Sequence, residues 1–265
     1  MSERVIWDEL PGDLRDAVEH RVGGVIRTVC VAEGLNCSLA LVIHPGDGDP
    51  LFLKGVRTTD DAGRAGLLCE EQVNGALKGI GPAVRHRFEA AGWLALAFTH
   101  IDGRHIDYEP GTGDLDALTR TTRRMCGLSA PSVAVPQLSD RFAGHLRPGE
   151  ADALRGSHLL HTDTNPHNVL IGPSGDAHVI DWAMPALGPA WVDAAYLATW
   201  LMAYGHSSEE ARAWLSGIPG WGEADRTAVE AFVNVTCRQW TARVGEKDAA
   251  SSNDRFHRLL DATHR

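Results

Sequence analysis

Apolar and polar positions alternate differently in the two parts of the chain. In the first part, short apolar and β-branched runs lie between clusters of Gly, Pro, Asn and Asp, a pattern typical of strands joined by turns. Two segments with helical spacing accompany them, one before the first strand and one after the third. The predicted helices are 11–22 and 59–78, and the predicted strands are 25–31, 39–43, 51–56, 84–90 and 93–99. We therefore expect a small sheet with one inserted helix.

Beyond the last of these strands the pattern becomes helical. We place the boundary between two lobes near 99–103, which gives lobes of residues 1–99 and 100–265. Helices are predicted at 114–126, 191–204, 208–216, 223–243 and 253–263. Six of the eight tryptophans lie at or after Trp182, which indicates a separate helical core in the second lobe.

Composition mainly excludes several classes of protein and of site. The 265-residue chain is 43% hydrophobic, with 25 basic and 35 acidic residues and a formal net charge of −10. No long Lys or Arg run is present, so nucleic-acid binding is not expected. Five irregularly spaced cysteines without a C-x-x-C predict reduced thiols in a cytoplasm, with neither a disulfide framework nor a zinc site. No secretory leader, membrane span or obligate protein partner is predicted.

Three side chains in the second lobe have the chemistry to move a phosphoryl group from a magnesium nucleotide to a hydroxyl. Asp163 is followed by Asn168 and then by Asp181. One carboxylate must face the attacking hydroxyl, while an amide oxygen and a second carboxylate hold the metal ion. A turn at 172–176 would join two short strands and bring Asn168 and Asp181 side by side. Taken singly, Asp163 could instead cap a turn, and Asn168 could bond the loop backbone.

Other residues near this motif have open alternatives. His161 and His167 could join Asp163 in the metal site of a hydrolase, although no further His ligands follow at a recognisable interval. His161 could also simply hydrogen-bond the loop. Asp193 begins a predicted helix, where it could cap the helix or brace the loop.

Lys54 ends an apolar strand in the first lobe and is the candidate for contacting nucleotide phosphates. It could also be an edge-strand lysine that discourages aggregation. A carboxylate from the following helix would hold it, and we expect Glu71 rather than Glu70 to do so. Residues 33–38 lie where a phosphate-covering loop is expected, with Ser38 as the candidate contact, although the segment has one glycine. No G-x-x-x-x-G-K-[ST] sequence is present, which argues against a P-loop kinase.

These stretches, in this order, resemble the aminoglycoside phosphotransferase family, which shares its two-lobed fold with protein kinases and choline kinases. The matching stretches are LFLK at 51–54, EQVNGAL at 71–77, WLALAFTHIDGR at 93–104, HTDTNPHNVL at 161–170 and VIDWAMPALGPAWVDAA at 179–195. The resemblance implies an α+β, protein-kinase-like fold. A small antiparallel sheet with one helix would form the first lobe, and a larger, mostly helical lobe would follow.

The resemblance also implies a role for each candidate residue. Asp163 would be the catalytic Asp, Asn168 and Asp181 would bind Mg²⁺, and Lys54 would pair with Glu71. Residues 98–101 would form a hinge, with backbone groups of Thr99 and Ile101 facing the nucleobase. The chain departs from the family where Thr162 replaces the usual Gly and Thr164 an often apolar residue.

The expected activity is transfer of the γ-phosphate of ATP or GTP to a hydroxyl of a small molecule. An antibiotic such as an aminoglycoside or nucleoside is the expected acceptor, and its inactivation would give resistance. A small-metabolite kinase acting on choline or a sugar is an alternative. A catalytically silent nucleotide-binding protein is another.

Overall fold

The computed structural model describes residues 4–31 and 37–262. The chain forms two compact units. The first consists of Met1–Gly103 and Val179–Met184, and the second of Arg104–His178 and Pro185–Arg265. The short Val179–Met184 segment, which the sequence division assigned to the second lobe, thus belongs to the first unit.

An antiparallel sheet forms the frame of the first unit. Within the described residues its five strands have the order β1-β2-β3-β5-β4. The strands are β1 (Val25–Cys30), β2 (Leu39–Pro45), β3 (Leu51–Arg57), β4 (Val84–Ala90) and β5 (Trp93–Thr99). The helices are α1 (Gly12–Val22), before β1, and α2 (Asp61–Asn74), between β3 and β4. The predicted small sheet with an inserted helix is confirmed.

The two faces of this sheet carry different cores because side chains alternate along each strand. On one face, Leu14 and Val18 of α1 pack with buried residues such as Leu53 of β3. On the other face, Leu67 of α2 joins a cluster with residues of β3 and β5. Lys54, next to Leu53 in the chain, therefore points to the α2 face.

The second unit is mostly helical. Its helices are α3 (Asp114–Met125), α4 (Leu138–Arg141), α5 (Glu150–Ala153), α6 (Val192–Ala203), α7 (Ser208–Ser216), α8 (Arg226–Val244) and α9 (Glu246–His257). Its short strands are β6 (Arg104–His105), β7 (His158–Leu160), β8 (Val169–Ile171), β9 (Ala177–Val179), whose last residue lies in the first unit, and β10 (Ala186–Gly188). The last predicted helix, at 253–263, was misplaced. Gly245, with φ +90°, ends α8, and α9 begins immediately after it.

Aromatic packing builds the core of the second unit around α6 and α8. The ring of Phe232 lies edge-on to the rings of Trp191 and Tyr196, with centroid distances of 5.5 and 5.0 Å. Phe256 of α9 closes the cluster at 5.9 Å from Phe232. This core anchors the start of α6, which holds part of the site described below. Among the described residues, no helix has the length and apolar character needed to cross a membrane.

Candidate active site

A loop between β7 and β8 holds the carboxylate of Asp163 from both sides. The side-chain amide of Asn165 donates to Asp163 Oδ1 at 3.0 Å. The amide of Asn168 donates to Oδ2 at 3.2 Å and to the main-chain oxygen of Asp163 at 2.8 Å. Each carboxylate oxygen thus accepts one amide hydrogen and keeps a lone pair for another donor. The loop fixes the direction of Asp163 and leaves it able to accept a proton.

Asn165 was not singled out from the sequence. Besides its bond to Asp163, its side-chain oxygen accepts the backbone N–H of His167 at 2.9 Å, which caps the 3-10 turn Pro166–Asn168. The Asn-Pro pair is a turn signal that is visible in the sequence. Its second task, holding the carboxylate, depends on the folded loop.

Asp193, near the start of α6, braces this loop. It is buried, and its two carboxylate oxygens accept the backbone N–H groups of His161 and Thr162, both at 2.8 Å. Burial raises the pKa of Asp193, while these backbone hydrogen bonds favour the ionised form. Of the two roles left open by the sequence, the structure supports bracing of the loop.

Thr162 has an unfavourable backbone conformation. Its φ is +67°, a left-handed region that costs a non-glycine residue about 1–2 kcal/mol, and its branched Cβ makes the strain greater. Its hydroxyl accepts a hydrogen bond from the guanidinium of Arg141, the last residue of α4. No sequence signal indicated Arg141, which lies far from Thr162 in the chain.

In the first unit, Lys54 lies between two carboxylates. Its ammonium bonds to Glu70 Oε1, and to Asp181 Oδ1 at 2.6 Å. The expected partner, Glu71, instead binds exposed Arg87 at 2.7 Å. The choice of Glu71 was therefore wrong. Neighbouring helical residues differ in direction by about 100°, and α2 turns Glu70 toward the sheet.

The two partners of this buried pair shift each other's protonation. Burial lowers the pKa of Lys54, but the attraction of the two carboxylates outweighs it, so the pKa lies above its ordinary value. Burial raises the pKa of Glu70 to about 7, with Lys54 opposing the rise and Asp181 adding to it. Lys54 is therefore a permanent cation, whereas Glu70 can exchange a proton near neutral pH.

Asp181 reaches Lys54 because its own segment packs on the first unit. The N–H of Val179 donates to the carbonyl of Ile80 at 2.9 Å, and the indole N–H of Trp182 donates to Val179 at 3.0 Å. A Cβ on Gly81 would lie 2.9 Å from the Val179 oxygen, so this close approach requires glycine. Asp181 has a left-handed φ of +64°.

Ser38, Thr99 and Ile101 are the remaining candidates for contacts with the nucleotide. Ser38 is described, and its carbonyl accepts the N–H of Val5 at 3.0 Å, but residues 32–36 of the expected phosphate-covering loop lie outside the described residues. The N–H of Thr99 donates to the carbonyl of Ala83 at 2.8 Å. Since this N–H is used inside the unit, only the carbonyl of Thr99 remains as a nucleobase contact. The role of Ile101 stays a prediction.

The histidines of the motif have separate surroundings. His161 is fully buried, and its Nδ1 accepts the N–H of Asp163 at 3.2 Å. His167 is exposed, with its ring 5.7 Å from that of His105. Across residues 4–31 and 37–262, no three His, Cys, Asp or Glu side chains come together as the metal site of a zinc-type hydrolase would require. His161 is thus part of the loop's hydrogen-bond network.

Two side chains have atoms suited to Mg²⁺, which prefers oxygen ligands. The amide nitrogen of Asn168 is committed to Asp163, and its Oδ1 receives no hydrogen bond from the described residues. That oxygen is therefore available as a ligand. Asp181 supplies a carboxylate, one oxygen of which bonds Lys54. Each of these side chains, taken by itself, has an oxygen donor of the kind that binds magnesium.

Parts of the sequence and the fold are similar to known proteins. Residues 109–232 match the phosphotransferase enzyme family, and no curated protein sequence matches the chain. The fold is similar to the crystal structure of aminoglycoside phosphotransferase APH(4)-Ia, with a TM-score of 0.61 and 14% identity over 94% of this chain and 98% of that one.

Two further solved structures are similar to the chain. Macrolide 2'-phosphotransferase MphH from Brachybacterium faecium has a TM-score of 0.54 and 17% identity over 95% of this chain and 99% of that one. Choline kinase LicA from Streptococcus pneumoniae has a TM-score of 0.54 and 11% identity over 93% and 97%. The kinase-like α+β fold and the resemblance to the aminoglycoside phosphotransferases are confirmed.

Proposed function

We propose that this chain, whose kinase-like fold is similar to that of the aminoglycoside phosphotransferases, is a small-molecule phosphotransferase that moves the γ-phosphate of a nucleoside triphosphate to an acceptor hydroxyl. Relatives of similar fold support a nucleotide donor. Thermostable APH(4)-Ia variants were crystallised as ternary complexes, one with ADP and hygromycin B and one with AMP-PNP and hygromycin B. ATP is the donor we propose first, with GTP as the alternative.

The observation that carries the proposal is the pair of hydrogen bonds that two side-chain amides donate to the Asp163 carboxylate. In phosphoryl transfer the protein mainly positions groups and stabilises charge, and an Asp accepts the proton of the attacking hydroxyl. The bonds from Asn165 and Asn168 hold the carboxylate in one direction. Both oxygens retain a lone pair, so Asp163 can orient the acceptor hydroxyl and take its proton.

The other candidate residues would bind the phosphates of the nucleotide and the magnesium ion. Lys54, a buried cation, would bind phosphate oxygens of the nucleotide, while Glu70 keeps its side chain in place. Asn168 and Asp181 are the proposed magnesium ligands, because their oxygens are hard donors of the type that Mg²⁺ prefers. When bound, the ion would neutralise charge on the phosphates.

The acceptor is proposed to be an antibiotic, such as an aminoglycoside, a nucleoside or a similar natural product. The names of two similar structures support this class, since one is an aminoglycoside and the other a macrolide phosphotransferase. A metabolite kinase is the second candidate, supported by the similarity to a choline kinase. The net charge of −10 suits an amine-bearing acceptor in either case.

The proposal can be tested with purified protein, ATP or GTP, Mg²⁺ and a panel of acceptors that includes hygromycin B, a macrolide, a nucleoside antibiotic and choline. Release of nucleoside diphosphate should depend on one acceptor class. Asp163→Asn should lower kcat by about 10²–10⁴-fold, with the nucleotide Kd unchanged. Asp176→Asn is the matched control, since Asp176 is an exposed carboxylate in the turn before β9.

The outcomes of this experiment are distinct. Near-wild-type turnover by Asp163→Asn would show that the mechanism is wrong. Nucleotide binding without turnover on any acceptor would favour the catalytically silent alternative. Turnover with choline alone would favour the metabolite kinase, whereas turnover with an antibiotic should be matched by drug resistance in cells that express the chain.

A further inference from the structure

A β-branched residue in a left-handed conformation lies directly before Asp163. Among the described residues four non-glycine positions have positive φ, and Thr162 is the one of them with a branched Cβ. Glycine would adopt this conformation without strain. Strained residues persist where the surrounding contacts fix them, and they concentrate at functional sites. The chain therefore keeps a threonine here for something that its side chain provides.

Compared with glycine, threonine adds a side-chain hydroxyl at this position. It accepts a hydrogen bond from the guanidinium of Arg141, while the backbone N–H of Thr162 donates to Asp193 at 2.8 Å. Thr162 is buried, with 8% of its surface exposed. A charge-assisted hydrogen bond in such surroundings is stronger than a neutral one. Thr162 is thus held through its backbone on one side and its side chain on the other.

Arg141 is itself fixed to the rest of the second unit. Its carbonyl accepts a hydrogen bond from the side chain of Gln239 in α8 at 2.8 Å. The helix that carries it begins with a capping box, in which the Gln137 N–H donates to Asp140 at 2.9 Å. Arg141 therefore offers Thr162 an anchor that does not depend on the loop.

We propose that Arg141 and Thr162 are positioning residues for Asp163. The guanidinium fixes the Thr162 hydroxyl, the fixed side chain holds the left-handed backbone, and that backbone sets the direction of the next residue. The inference rests on the proposed function, because the direction matters only if Asp163 faces the acceptor hydroxyl. Both residues act through the loop.

Four variants separate positioning from simple stability. Thr162→Val keeps the branched shape and removes the hydroxyl, Thr162→Ser keeps the hydroxyl, and Thr162→Gly removes both the hydroxyl and the strain. Arg141→Gln removes the charge. The readouts are kcat, the nucleotide KM, Tm, and hydrogen exchange of the Asp163 N–H, which bonds His161 at 3.2 Å.

We expect Thr162→Val, Thr162→Gly and Arg141→Gln to lose about tenfold or more in kcat, since small misplacements of reacting groups have effects of this size or larger. Their nucleotide KM should stay within about twofold of wild type, and the Asp163 N–H should exchange faster. Thr162→Ser should resemble wild type in all readouts. Thr162→Gly should lose activity without losing Tm, which a purely structural role for Thr162 does not predict.

Two results would overturn the inference. One is wild-type kcat together with unchanged exchange of the Asp163 N–H in Thr162→Val or Arg141→Gln. The other is a loss of kcat that follows Tm across all four variants. If wild-type protein transfers phosphate to no acceptor, the proposed function fails, and exchange at Asp163 still tests the positioning. If wild type is active and Asp163→Asn is not, while Thr162→Val matches wild type, only the positioning fails.

Discussion

Replacing Glu70 by alanine should destabilise the first unit far more than replacing its chain neighbour Glu71. The side chains of Glu70 and its partner Lys54 are 6% and 10% exposed, whereas those of Glu71 and its partner Arg87 are 27% and 40% exposed. Removing one partner of a buried ion pair leaves the other charge without compensation. Removing Glu71 leaves Arg87 exposed to water and still paired with Glu89 at 2.8 Å.

The size of the difference follows from these surroundings. Breaking a buried ion pair by removing one partner costs about 3–5 kcal/mol. Here Asp181 remains 2.6 Å from the ammonium of Lys54 and keeps part of the compensation, so we expect about 2–3 kcal/mol for Glu70→Ala. Exposed pairs contribute about 0–1 kcal/mol, which is the range expected for Glu71→Ala.

Urea unfolding of the two variants and wild type, followed by tryptophan fluorescence, measures both values. Buried Trp93 reports on the first unit. The comparison belongs at pH 8, above the Glu70 pKa of about 7, where this carboxylate is ionised. Equal losses in the two variants, or a loss below about 0.5 kcal/mol for Glu70→Ala, would refute the reasoning.

Two further predictions use the same unfolding measurement. The pKa of Glu70 is raised from 4.5 to about 7, so the folded state holds this proton more tightly than the unfolded chain. The stability of wild type relative to Glu70→Gln should therefore fall as pH rises from 4.5 to 7, and a flat difference would contradict the assignment. Asp193→Ala removes the carboxylate that accepts two buried backbone N–H groups and should cost about 2–4 kcal/mol, with Asp225→Ala, at the exposed cap of α8, as its control. A loss no larger than that of the control would count against the bracing role.

Much of the fold could be predicted because local signals agreed with it. Strands β4 and β5 and helix α7 have the predicted bounds. The start of α7 is an example, since Ser207 and Glu210 form a capping box that is legible as S-x-x-E. The prediction placed helix α9 too late in the chain because the first residues of the helix are polar. The glycine before it, Gly245, did not by itself indicate that a helix begins there. The four-residue helices α4 and α5 are too short to show a period.

The candidate site was predictable in its chemistry and less so in its contacts. Asp163 and Asn168 are close in the chain, so one loop brings them together. The choice between Glu70 and Glu71 depends on how α2 is rotated against the sheet, which the sequence does not encode locally. Arg141 and Thr162 are distant along the chain, and no sequence pattern around either residue predicts that their side chains form a hydrogen bond.

The path of the chain through the two units limits how this protein could be recombined with relatives. Lys54 and Glu70 lie before Gly103, whereas Asp181, the second partner of Lys54, comes from Val179–Met184, which belongs to the first unit although 75 residues of the second unit precede it in the chain. A hybrid gene with one crossover after Gly103 would combine this lysine with a foreign aspartate segment. A hybrid that takes both parts of the first unit from this chain keeps the ion pairs of Lys54, but it needs three junctions. Exchange of whole lobes in evolution is therefore restricted to relatives whose segment equivalent to 179–184 already fits.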